Sequence, residues 1–291
     1  MRRKYLHETS VYKNNYTLLV CIYLAVGLCA SVRAYFIEGS AAMADKLELA
    51  IDDLVAANRI LSNEHVVDAY GHISVRHPGN PQRFFLSRAR APAAIVADDI
   101  MEFTLEGEPV DAKGRAPYLE RFIHGAIFEA RPDVQSVVHN HSHNVIPFGI
   151  TGTTLRPVMH SCASIGHEVP IWDTQPKFGD TNMLVSDMAM GRDLAKALGN
   201  RPTALMRGHG CVVASSGIRG AVSTSVYLNL NAQLQMQAMA LGKVTFLSKG
   251  EVDKVNGGRE SGPERGGTVG MDRAWEYWCM RAGVPYRPFS R

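Results

Sequence analysis

The segment VVHNHSH sets two imidazoles two residues apart, at His139 and His141. On a strand, side chains at that spacing share one face. Imidazole is the standard ligand for zinc and its neighbours, and a catalytic site typically takes three protein ligands and keeps one position open. Alone, H-x-H is equally a pair of partly exposed strand histidines. A third histidine, His209, stands in RGHG between Gly208 and Gly210, with TALM before it and CVVA after it. Flanking glycines permit a tight turn and the close approach of another group. A ligand from a distant segment is expected there, and the plainer alternative is a hairpin turn that holds a histidine. Glu120 and His124 lie one turn apart on an expected helix that leads into the His139 strand. A carboxylate beside a three-histidine metal can give or take a proton. Taken alone, Glu120 also fits a solvated helix glutamate.

These residues need a frame. Leu47, Ala50, Ile51, Leu54, Val55 and Leu61 keep helical spacing from Ala44 to Leu61, with Asn58 as the one polar break. Ile73 with Val75, and Phe84 to Leu86, read as two strands around HPGNPQ. VADDIMEFTLEGEPVD reads as another strand pair, turning at Glu106-Gly107. A helix is expected from Pro117 to about Ala130, then a strand through DVQSVVHNHS. Ala189 to Leu198 is helical and stops at Gly199-Asn200. A strand, turn and strand across RGHG and a long helix from Gly220 to Leu241 follow. The interleaving makes an α/β fold, and no G-x-G-x-x-G or Walker loop follows a strand.

Composition narrows the function further. A chain of 291 residues with 46% hydrophobic content holds a real core, and its length fits one domain with appendages as well as two domains. The net charge of +3 is scattered, which leaves no footprint for nucleic acid. Five cysteines, at 21, 29, 162, 211 and 279, are odd in number and lack C-x-x-C spacing. That argues against a disulfide framework and for reduced thiols in the cytoplasm. Residues 1–42 carry a basic stretch, an apolar run from Leu18 to Ala30 and then small residues. The run is too short for a stable membrane span, and it matches a signal peptide cleaved after Ala30 or Ala34, which would export the protein. Alternatively Met43 opens the first amphipathic helix and residues 1–42 are a non-native extension. Neither reading gives that segment a part in the fold. Residues 249–270, poor in apolar side chains, read as a flexible linker, and residues 271–291 as a tail carrying the aromatic patch AWEYWCM.

In this order, the pieces resemble the class II aldolase/adducin family over roughly Ala44 to Leu247. The family's metal pattern is H-x-H followed far downstream by a histidine in a G-H-G context, here His139, His141 and His209. Its acid/base glutamate, which can touch the metal, matches Glu120 in YLERFIHGAIFEARPDVQSVVHNHS. The resemblance implies a three-layer α/β/α catalytic domain over residues 43–248 with a mostly antiparallel central sheet. It implies one divalent metal per chain, Zn2+ or Mn2+, with Fe2+ and Co2+ left open. It also implies a homo-oligomer, a tetramer with active sites near subunit boundaries, where the aromatic tail could reach a neighbour.

The departures from the sugar-phosphate aldolases bear on substrate. Their G-N-x-S segment and Ser-Ser pair bind phosphate, whereas this chain has Gly71-His72-Ile73-Ser74 and Tyr118-Leu119. Their glycine-containing loop is replaced by Ser87-Arg88-Ala89-Arg90. Guanidinium pairs well with planar carboxylates. GHISVRHP, LSRARAP, ERFIHG and LMRGHG are similar to a branch that decarboxylates aromatic hydroxy-acids, such as hydroxy-methylpyridine-dicarboxylate and dihydroxyphthalate decarboxylases. The resemblance therefore implies a metal-dependent lyase that decarboxylates an anionic, non-phosphorylated aromatic or pyridine hydroxy-carboxylate. Glu120 and His72 are its expected catalytic residues, and Ser87, Arg88, Arg90 and Tyr118 its expected substrate contacts. The alternatives are retro-aldol cleavage of a small hydroxy-keto substrate, or a non-catalytic adducin-like scaffold, whose known relatives lack the metal histidines.

Overall fold

The computed structural model describes residues 43–260 and 267–288. A compact unit begins at Leu49, and apart from the first residues of the opening helix everything below lies in it. The signal-like run and its two cleavage positions lie outside the described residues. Seven strands form one sheet in the order β3-β2-β1-β4-β7-β6-β5. They are β1 (His72–Arg76), β2 (Arg83–Ser87), β3 (Ile100–Thr104), β4 (Ser136–Asn140), β5 (Ile171–Trp172), β6 (Thr203–Met206) and β7 (Gly210–Ser215). Every pairing is antiparallel except β5 with β6. The expected mostly antiparallel sheet with flanking helices is therefore present.

The helices are α1 (residues 43–63), α2 (Arg121–Ala130), α3 (Ile146–Ile150), α4 (Gln175–Phe178), α5 (Met188–Leu198), α6 (Ile218–Leu241), α7 (Lys249–Glu260) and α8 (Gly267–Ala282). None among the described residues is long and apolar enough to cross a membrane. Strand alternation sends Phe84, Leu86, Met101, Phe103, Val137, Val212 and Ala214 to one face. There they share a buried core with Ile123, Ile127 and Phe128 of α2 and Leu194 and Leu198 of α5. Helix α6 packs on the central strands β4 and β7. Arg76 ends β1 beneath α2, and its buried guanidinium donates to the carbonyls of Val134, Pro81, Phe128 and Arg131. It thereby satisfies carbonyls that the end of α2 would leave without partners.

Several local expectations change in the fold. Helix α2 begins at Arg121 rather than Pro117, and Glu120 is its N-cap. The preceding residues are extended because Pro117 bridges to Arg88 and Ala89 N donates to Ala116 O. The second strand expected after β3 is reduced to a single bridge between Phe103 and Pro109. Proline offers no N–H to continue a ladder. Asn58, the polar break in the α1 stripe, is buried, and its amide donates to Leu54 O at 2.8 Å.

The composition of residues 249–270 predicts a flexible linker, but Lys249–Glu260 form helix α7. Ser248 and Glu251 make a reciprocal capping box, Ser248 N to Glu251 Oε2 at 2.7 Å and Glu251 N to Ser248 Oγ at 3.2 Å. One turn apart on this helix, Val252 is buried and Asn256 donates to Ala163 O. A few docking residues and a cap thus suffice where the overall composition is hydrophilic. Residues 261–266 and 289–291 lie outside the described residues. In α8, Trp275 and Trp278 are buried against the chain's own α6, with the Arg219 guanidinium over Trp275 and Tyr227 edge-on to Trp278. Two of the three aromatics of the AWEYWCM patch are spent on internal packing, and Tyr277 remains half-exposed.

Candidate metal centre

His139 sits near the end of β4, in the middle of the sheet, and is fully buried. Across the ladder it faces His72 on β1 and Val212 on β7. His141 follows just past the strand. His209 comes from the turn between β6 and β7. Gly208 there takes φ +65, and a Cβ on Gly210 would lie 2.1 Å from Asn140 O. The glycines let β7 close against the end of β4, so that His209 arrives beside the H-x-H pair. Glu120 enters from the N-terminus of α2, and its Oε1 accepts from Val185 N at 3.0 Å. That bond turns Oε2 toward the histidines.

The four side chains converge. His141 Nε2 lies 3.0 Å from His139 Nε2 and 3.1 Å from His209 Nε2. Glu120 Oε2 lies 3.5 Å from His139 Nε2 and 3.6 Å from His209 Nε2. His139 Nδ1 faces Cys211 O at 3.1 Å. A carbonyl only accepts, so the neutral tautomer of His139 has its proton on Nδ1 and leaves Nε2 free to bind a cation. Metal bonds of about 2.1 Å at a tetrahedral angle put ligand atoms about 3.4 Å apart. The observed spacings bracket that value, so this donor set fits a divalent cation.

The electrostatics suit the same task. Burial, then the neighbouring His139 and His209, push the His141 pKa down to about 4. Its imidazole is neutral at physiological pH, as a ligand must be. Burial alone would raise the Glu120 carboxyl, but His139 and His209 outweigh it and hold the group below the usual carboxylate range. Cys211 is not a further ligand: burial pushes its thiol up to about 12, and its Sγ donates to Asn140 Oδ1.

The expected substrate residues adjoin this centre through His72. The His72 ring lies 5.2 Å from the His139 ring and 4.6 Å from that of Tyr118, centroid to centroid. Tyr118 Oη donates to Arg90 O, which ties the ring to the arginine loop. Ser87 is buried at the end of β2. Arg88 and Arg90 do not stand free. Arg88 Nε meets Asp99 Oδ1 at 2.5 Å, and Arg90 Nη1 meets Asp99 Oδ2 at 2.7 Å. One buried carboxylate gathers both half-exposed guanidiniums, leaving the triad with a net charge of +1. A cavity of about 480 Å³ reaches the cluster at His141, bordered by His65, Asp68, His143 and Asn229. None of the expected substrate residues lines it.

The profile of the Class II Aldolase and Adducin N-terminal domain matches residues 52–236. The chain belongs to the class II aldolase/adducin family. It is 36% identical over 200 residues to Decarboxylase tropJ of Talaromyces stipitatus, covering 64% of this chain and 75% of that protein. It is 27% identical over 251 residues to 3,4-dihydroxyphthalate decarboxylase of Arthrobacter keyseri, covering 80% and 94%. Among solved structures, L-fuculose 1-phosphate aldolase from Glaciozyma antarctica PI12 superposes with a TM-score of 0.68 at 25% identity, covering 84% of this chain and 94% of that one. Relatives named as decarboxylases and aldolases bear out the expectation of a carbon–carbon lyase.

Sequence reasoning left two polar residues of this aldolase-type site without a role. His124, on α2, is fully buried above β1. Its Nε2 lies 2.6 Å from His72 Nδ1, and its Nδ1 lies 2.6 Å from Ser74 Oγ. Burial first, then His139, push its pKa down to about 3. Burial, with His124 and His139 beside it, likewise holds His72 well below the usual histidine range. The spacing of His72 and Ser74 carries the same two-residue signal as H-x-H.

Proposed function

We propose that this enzyme is a metal-dependent decarboxylase acting on a non-phosphorylated aromatic or pyridine hydroxy-carboxylate. His139, His141 and His209 hold one divalent metal per chain, Zn2+ or Mn2+ with Fe2+ and Co2+ left open, and Glu120 is in reach of it. The observation that carries this reading is the convergence of three imidazole nitrogens and Glu120 Oε2 within 4.8 Å, beside a wall of His72, Tyr118 and the arginine loop where the aldolases have phosphate donors. The similarity to Decarboxylase tropJ and to 3,4-dihydroxyphthalate decarboxylase supports it.

When bound, the metal supplies Lewis acidity to the substrate's hydroxyl and carboxylate oxygens. The chain's own residues do the rest. The Tyr118 and His72 rings bound a flat substrate. Arg88 and Arg90, steadied by Asp99, offer their remaining N–H groups to an outer carboxylate, and Ser87 backs this wall. Glu120, ionised at the outset, takes the substrate's hydroxyl proton. The bond to the carboxylate carbon breaks, carbon dioxide leaves, and the electron pair stays with the ring. Glu120 then returns its proton to the vacated ring carbon, which leaves a phenolate. Val185 N–H keeps the carboxyl aimed throughout.

A second reading is retro-aldol cleavage of a small hydroxy-keto substrate, which the likeness to L-fuculose 1-phosphate aldolase favours. In both readings the protein is cytoplasmic and homo-oligomeric, a tetramer whose neighbouring copies border the site. A panel of hydroxylated aromatic and pyridine dicarboxylates, assayed for carbon dioxide with aldehyde followed in parallel, separates the two. Carbon dioxide from a dicarboxylate supports decarboxylation. An aldehyde from a sugar phosphate with no carbon dioxide from any dicarboxylate overturns it.

A further inference from the structure

The geometry points to His124 and Ser74 as positioning residues that fix the tautomer of His72, so that His72 meets the substrate as a neutral hydrogen-bond donor through Nε2. This deepens the proposed function and rests on it for the substrate, though not for the tautomer.

The chain of contacts has a direction. Ser74 Oγ lies 2.6 Å from His124 Nδ1 and 3.5 Å from Val137 O. Ser74 is fully buried, so its proton must go to one of these two. The ring nitrogen is the far better acceptor at those distances. Ser74 therefore donates to His124 Nδ1, and neutral His124 carries its own proton on Nε2. That proton is donated across 2.6 Å to His72 Nδ1. With Nδ1 accepting, neutral His72 has its proton on Nε2, the ring nitrogen that neither partner occupies.

The fold enforces this arrangement. His72 and Ser74 share a face of β1, and α2 lays one imidazole across both. The Phe84 ring stacks at 6.3 Å from His124 and closes the far side. The chain ends at a buried serine, so it does not conduct protons to solvent. Its effect is to set which way one ring donates. Beside His139 and Tyr118, a fixed N–H at His72 suits an oxygen on which negative charge grows. Proton transfer to carbon then belongs to Glu120.

The test is imidazole 15N–1H correlation NMR on the full-length protein, with and without zinc. His72 should be protonated at Nε2, and His124 at Nε2 as well. Ser74→Ala and His124→Phe should shift His72 toward the Nδ1-protonated form. They should lower kcat by up to about 100- to 1,000-fold with KM little changed, the cost of one lost donor. Ser74→Thr, which keeps the hydroxyl, should restore tautomer and rate together. Wild-type His72 protonated at Nδ1 overturns the inference without any variant having to fold. A wild-type tautomer persisting in both Ser74→Ala and His124→Phe overturns it too. Neither NMR result depends on the reaction, so failure of the decarboxylase reading would appear separately, in the carbon dioxide assay.

Discussion

Two polar clusters in this molecule are built on opposite plans. Around Arg219, every charge is answered. Its guanidinium meets Asp272 at 2.9 Å and Asp53 at 3.6 Å, donates to Arg287 O and covers Trp275, while Tyr286 donates to Asp272. The cluster closes on itself and fastens α8 and the segment after it to α1 and α6. Around His139 nothing closes. Three imidazole nitrogens and one carboxylate oxygen, all able to act as lone-pair donors, aim at one point. Opposite charges that saturate one another make a joint, and like donors that converge make a receptor for a cation. The contrast separates a structural cluster from a chemical one without reference to burial, which both share.

Substitutions should break the two clusters in different currencies. The largest effect is expected from His209→Ala, which should abolish stoichiometric metal by elemental analysis and cut activity at least about a hundredfold, with circular dichroism unchanged. Full metal content in that variant would contradict the ligand assignment. Glu120→Gln should lower kcat about 10²- to 10⁴-fold and leave KM largely intact, because it removes a proton carrier and not an anchor. Arg219→Leu should do the reverse. Urea unfolding should show a loss of about 2–3 kcal/mol, discounted because water reaches Asp53 and Asp272, while the folded fraction keeps wild-type kcat. Arg88→Ala should raise KM by an amount worth about 1.5 kcal/mol, the low end for a charged hydrogen bond, since Asp99 already shares the guanidinium.

A further effect is expected on pH dependence. His124 titrates at about 3 in the fold, against about 6.5 in the unfolded chain. Below about pH 6.5 the unfolded state therefore binds a proton that the folded state refuses. Stability is full above that pH and declines as pH falls toward 3. In His124→Asn the decline should be shallower by up to about 1.4 kcal/mol per pH unit, measured by urea unfolding at several pH values. Parallel slopes for the two proteins would show that His124 is not a buried neutral group.

The cluster of His139, His141 and His209 was legible because its signal is short-range. H-x-H on a strand and G-H-G in a turn announce their geometry from spacing alone, and the sheet then pairs them. The hydrogen-bonded chain was less legible. Ser74 and His72 carry the same spacing, but their meaning depends on α2 placing His124 over that face, which is a tertiary fact. Asp99 was invisible for the same reason: nothing local says that it captures Arg88 and Arg90 across the end of the sheet. The tail shows the limit of composition. Residues 249–260 look too hydrophilic to order, yet one capping box and two docking side chains fold them. Tryptophans that could have reached a neighbour are absorbed by α6 instead.

The proposed decarboxylation depends on one metal held by three histidines. The most direct test is to strip the protein with a chelator, titrate Mn2+ or Zn2+ back, and follow carbon dioxide release from a hydroxylated aromatic dicarboxylate. The account predicts no release from the stripped protein and a linear rise that levels off at one metal per chain. Carbon dioxide release from the stripped protein, undiminished and insensitive to added metal, would contradict it.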